Sequence, residues 1–232
     1  MKLKIIFLTV LMCITVFSCS DKNEKSYSSP ESSKESPTLS AVEDINDVMK
    51  IPDSKAAMEK NFKDVPDVDK GPVLSISNTT AKAGEIAEIT VSVKGADHNW
   101  SNAGIHLTYP DVLKCVYEED DDKNLKYSEG EAIEKRNGIV TREWRKENGP
   151  PEELEKQNLS VLFFTVMFKG NRGQDGEIIK LYLEIPEDAE SGTVYPLDFY
   201  YMNTDMFRNA EADKSLEKYA FTHTKAGSIT VE

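Results

Sequence analysis

Cysteine is scarce: three in 232 residues, at 13, 19 and 115. The first two lie in or beside an apolar N-terminal run, so only Cys115 is left for a folded region, and no disulfide can form within it. Between Leu113 and Val116 it reads as a small buried hydrophobe rather than a nucleophile. Cations are in deficit too. Lys and Arg total 28 against 41 Asp and Glu, a net charge of -13. That excludes a nucleic-acid ligand, whose phosphates need a basic surface. It also disfavours adhesion to anionic lipid by charge alone. The three histidines, His98, His106 and His223, have no metal-ligand spacing. There is no Gly-x-Ser-x-Gly elbow and no phosphate loop. Carboxylates abound, but nothing marks one pair as a catalytic dyad. No catalytic residue is assigned, and an enzyme is not expected.

Long apolar runs are few. Ile5–Phe17, behind Lys2 and Lys4, is short for a membrane span and reads as the apolar part of a secretory signal over residues 1–18. Val16-Phe17-Ser18-Cys19 resembles the lipobox of bacterial lipoproteins, with a bulkier residue at Phe17 than that pattern prefers. Cys19 is therefore the expected lipidation site, and its acyl chains would suffice for stable anchoring at the cell surface. Ser20–Thr38 is rich in Ser, Lys and Glu, with almost no aliphatic residue, and reads as a solvated tether. Residues 19–71 together are expected to be lipidated cysteine and linker, with at most a weak helix over Ala56–Phe62 after Pro52.

From Val73 the pattern turns to β. Ile86–Val93, Gly104–Tyr109 and Ile178–Ile185 alternate, and Gly, Pro and Asn turns separate the strands. Asn137-Gly138 is a two-residue hairpin signal expected to pair Ala132–Lys135 with Ile139–Trp144. Pro151-Glu152-Glu153 reads as a helix start. Leu159–Phe168 is apolar on nearly every residue, which a half-buried strand does not need. Many short strands without βαβ alternation indicate an all-β sandwich or jelly roll.

Four phrases are familiar in order: TTAKAGEIAEITVSVKG, WSNAGIHLTYPDVLKCV, IIKLYLEIPEDAESGTVYPLDF and the closing AGSITVE. Together they resemble a cohesin module over residues 72–232, with likeness to the divergent cohesins of ruminococcal cellulosomes. The resemblance implies a jelly-roll β-sandwich of about nine strands with a short helix in a loop. It implies a dockerin-containing partner, a small helical domain that brings its own calcium, so no cofactor is expected on this chain. It also implies docking on an exposed sheet face rather than in a pocket. The function expected is a monomeric, cell-surface-anchored cohesin that attaches a polysaccharide-degrading enzyme or scaffold. A carbohydrate-binding lipoprotein of the same architecture is the alternative, for which Trp100 and Trp144 would supply the platform.

Alternation gives the candidate face. With Ile105, Leu107 and Tyr109, Leu162, Phe164, Val166 and Phe168, and Leu181, Leu183 and Ile185 turned to the core, nine residues remain outward: His106, Thr108, Val161, Phe163, Thr165, Met167, Lys180, Tyr182 and Glu184. These are the expected dockerin-binding residues, unless the Pro151 helix or another loop covers them. Asp120, Asp122, Asn124 and Glu131 match some offsets of a calcium loop, but Leu125 stands where that loop needs glycine, so no metal site is expected there.

Overall fold

The structure, a computed structural model, describes residues 51–119, 121–133, 138–143, 151–211 and 213–232. In chain order the elements are α1 (Lys55–Phe62), β1 (Val73–Ile76), β2 (Asn78–Ala81), β3 (Ile86–Lys94), β4 (Asn102–Pro110), β5 (Lys114–Cys115), β6 (Tyr117–Glu118) and β7 (Asp121–Leu125). Next come β8 (Tyr127–Glu129), β9 (Gly138–Glu143), α2 (Glu152–Glu155), β10 (Leu159–Met167), β11 (Gly176–Glu184) and β12 (Val194–Phe199). The chain closes with β13 (Met206–Arg208), α3 (Lys214–Thr222), β14 (Thr224–Lys225) and β15 (Gly227–Val231).

Two sheets form a jelly-roll sandwich. One runs β14-β1-β3-β11-β5, with β8 also on β11. The other runs β2-β15-β12-β4-β10-β9, with β13 also on β4. The core lies between them. Val91, Leu183 and Ile179 of the first sheet and Ile105, Phe164 and Val166 of the second are all fully buried. A bulge between Glu177 and Ile179 lets Ile178 and Ile179 both turn inward. Trp100 closes one end of the core, with its ring stacked on Phe207 at 5.1 Å and Nε1–H donating to the Gln174 carbonyl at 3.2 Å. A Cβ on Gly173 would sit 2.2 Å from the indole, so only glycine fits beside it.

Two expectations are corrected. Residues 51–71 do not behave as linker. Phe62 of α1 is 3% exposed and packs against Tyr201, whose ring meets Phe221 of α3. The Tyr201 backbone N–H donates to Ser54 Oγ at 3.0 Å, and Lys218 Nζ donates to the Val65 carbonyl at 2.8 Å. The helix is weakly amphipathic, and tertiary contacts hold it where local propensity would not. Secondly, β9 pairs with β10, with Thr141 opposite Phe164 and Ile139 opposite Val166, and 132–133, expected to begin its partner strand, lie in a turn. Completing the long sheet outweighs the local turn signal; residues 134–137 and Trp144 lie outside the described residues. Residues 121–125, which carry part of the calcium-loop pattern, form a strand paired with β6.

Candidate docking face

Directly opposed residues of an antiparallel pair share a side of the sheet. Phe163 of β10 lies opposite His106 of β4 and Arg142 of β9, Thr165 opposite Gly104 and Val140, and Met167 opposite Asn102. Met206 of β13 lies opposite Gly104. These residues share the outer face of the second sheet.

Half of that face is covered. Val161 is 0% exposed in a small cluster with Leu154, Leu159 and Tyr200, against which Ile51 and Met202 pack. Thr108 is 0% exposed and donates to the Ser160 carbonyl at 3.1 Å. His106 is 7% exposed, its Nδ1 bonded to the buried Asp205 carboxylate. The Tyr200 backbone N–H donates to the His106 carbonyl, and the Tyr200 hydroxyl donates to Glu153 of α2. Burial and that carboxylate hold the Tyr200 phenol well above its usual range. So α2 and the 198–205 crossing shield Val161, Thr108 and His106, and these three present little surface to a partner.

The other half is open. Phe163 and Thr165 are half-buried and Met167 is 55% exposed. Phe163 and Met206 lie across Gly104, where a Cβ would come within 3.6 and 3.3 Å of them. Val140 and Met206 are half-buried, and Arg142 is exposed beside Phe163. Sequence reasoning missed Val140, Arg142 and Met206. Residues 138–143 carry no clean alternation and the hairpin signal points them to another partner, and a three-residue strand such as β13 carries no periodic signal.

Lys180, Tyr182 and Glu184 do not belong to this face. They lie on β11, in the opposite sheet, and point away on the far side of the sandwich. Lys180 there bonds Glu88 at 3.0 Å and Glu177 at 3.5 Å, and the two carboxylates raise its ammonium above the ordinary lysine range. Tyr182 shares a hydrogen bond with Ser128 at 2.8 Å and lies under Lys126. This is a solvated, ion-paired surface. At its edge the exposed Ile86 and Val112 line a groove of about 470 Å³, but Lys114, Glu184, Glu187 and Asp188 line it too.

The family model of the cohesin domain matches residues 72–204, more than half of the chain. The chain belongs to the cohesin family. No curated protein matches it. Among solved structures it is similar to a type III cohesin module from the cellulosomal ScaE cell-surface anchoring scaffoldin of Ruminococcus flavefaciens. The TM-score is 0.55 at 20% identity, covering 79% of this chain and 94% of that one. It is also similar to the third cohesin of ScaC from Acetivibrio cellulolyticus, in complex with the ScaB dockerin. There the TM-score is 0.50 at 14% identity, covering 69% of this chain and 98% of that one. At these identities the likeness is one of fold.

In this cohesin Trp100 is 0% exposed and offers no ring to a sugar. Cys115 is buried with its thiol donating to the Tyr109 hydroxyl at 3.2 Å, and burial pushes the thiol far above its usual range, out of nucleophilic use. Among the described residues no helix is long and apolar enough to cross a membrane. Cys19 and the tether lie outside the described residues.

Proposed function

We propose that this cohesin binds a dockerin on the open half of the outer face of β4, β9, β10 and β13. The observation that carries this is the half-buried ring of Phe163 at the centre of an apolar patch with Val140, Met167 and Met206, uncovered by any described element. The opposite sheet presents ion pairs instead. Cohesin modules are non-catalytic protein-interaction domains, and the ScaC cohesin of the same fold was solved with a dockerin seated on it. Docking here is association of surfaces without bond chemistry: a pre-formed sheet excludes water from Phe163 and its neighbours, while rim groups select the partner. Calcium belongs to the dockerin.

The same reading holds the module to the cell surface through Cys19, with 20–50 as spacer; the signal run before Cys19 and the Ser-rich stretch after it support this. The ScaE protein is named a cell-surface anchoring scaffoldin. The partner would then be an enzyme or scaffold with a dockerin, held outside the cell by a monomeric anchor.

Calorimetric titration of the full chain with calcium-loaded dockerin modules from the same genome tests it. At least one should bind, binding should vanish on chelation, and calcium should leave the melting temperature of the cohesin alone unchanged. Failure of every dockerin to bind would remove the reading.

A further inference from the structure

On the outer face of β4, β9, β10 and β13 the charge pattern is unlike that of the chain. The sequence holds 41 acidic residues, yet no Asp or Glu occupies an outward position of β4, β9, β10 or β13 among the described residues. The charged residues at those positions are arginines: Arg142, opposite Phe163, and Arg208, opposite Asn102. Arg208 is paired with the fully buried Glu217 of α3 at 2.5 Å. Arg142 is exposed and has no carboxylate partner among the described residues. Lys169 is exposed just past the end of β10. The outward positions of β3 and β11 behave differently: Glu88 and Glu177 pair with Lys180, and Glu184 lies further along β11.

Width limits the occupant. From β9 across β10 and β4 to β13 the patch spans three strand spacings, roughly 14 Å. That seats one α-helix, about 10–12 Å across with its side chains. The -13 charge of the chain repels an acidic partner at long range, but salt screens that beyond roughly 8 Å. At contact the nearest charges decide, and here they are cationic.

We propose that the open half of this face selects a helix whose apolar stripe is flanked by carboxylates, with Arg142 as the specificity-determining residue. The proposal rests on the dockerin reading for its biological partner and narrows which dockerins fit. An amphipathic helix bordered by basic residues is rejected at the same place, although the net charge of the chain would favour it.

Two synthetic helices with one apolar stripe, bordered by Glu in one and by Lys in the other, test this without a dockerin. Each is titrated into isotope-labelled full chain, reading the amide shifts of Val140, Phe163, Thr165 and Met167. The Glu-bordered helix should shift these amides with at least ten-fold tighter binding than the Lys-bordered one. Arg142→Gln should erase the preference and Arg142→Glu invert it. The proposal is overturned if the Lys-bordered helix binds there equally well, if neither helix shifts these amides, or if Arg142→Gln keeps the preference. Should the Glu-bordered helix bind as expected while no dockerin does, the surface chemistry stands and the dockerin reading falls. Should dockerins bind while the Lys-bordered helix is preferred, the reverse holds.

Discussion

The ring of Phe163 packs against the imidazole of His106 on the neighbouring strand, with centroids 4.6 Å apart and planes inclined by 36°. It joins the open half of the face to the covered half. His106 is fixed in turn by the Asp205 carboxylate, and Asp205 Oδ2 accepts from the Met202 backbone N–H at 3.1 Å. Phe163 is thus backed on one side by a buried pair and underlain by a glycine. A side chain held this way loses little freedom on binding, which favours it as an anchor.

Asp205 gives a pH prediction. Burial raises its carboxyl above the ordinary range, while the hydrogen bond and charge of His106 pull the other way. A carboxyl raised on folding stabilises the fold while protonated, and that contribution is lost as pH rises through the raised folded value. Asp205→Asn removes the titration. In melts from pH 3 to 7, the stability of the wild type relative to Asp205→Asn should therefore be greatest at the acid end and decline as pH rises. A relative gain with rising pH would contradict the assignment.

The segment before the family match gives a second. Phe62 is buried against Tyr201, and Phe→Ala at such sites costs about 3–5 kcal/mol. Scanning calorimetry should show Phe62→Ala melting on the order of 10 °C below wild type. A chain starting at Ile51 should keep the full melting temperature, and one starting at Pro72 should lose at least as much as Phe62→Ala.

Much of this was legible in the sequence, for physical reasons. Alternation along 104–109 and 159–168 separates core from surface, because a period of two fixes which residues share a side of a strand. It does not say which sheet a strand joins. Alternation alone therefore groups Tyr182, outward on β11, with Phe163, outward on β10, although the sandwich lies between them. Nor does alternation reveal cover. Val161 is outward by parity and 0% exposed because Leu154 and Tyr200, from 7 residues before it and 39 after, close over it. The ordering of 51–71 was hidden for the same reason: its helix is weak alone and depends on Tyr201 and Phe221.

Anchoring gives a third prediction. Cys19 closes the lipobox-like Val16-Phe17-Ser18-Cys19. Cys19→Ala should release the protein to the medium or leave it unprocessed, as read by fractionation and by mass spectrometry of the N-terminus. A correctly cleaved mutant still retained on the membrane would remove the lipid assignment.

Docking on the second sheet is tested most directly by calorimetric titration of one cognate dockerin into three proteins: wild type, Phe163→Ala and Tyr182→Ala. Both residues are half-buried aromatics on outer faces, but of opposite sheets. Phe163→Ala should lose at least ~2 kcal/mol of binding, about thirty-fold, with its melting temperature nearly kept. Tyr182→Ala should bind within about 0.5 kcal/mol of wild type. Loss of binding in Tyr182→Ala with full affinity in Phe163→Ala would put the dockerin on the other side of the sandwich.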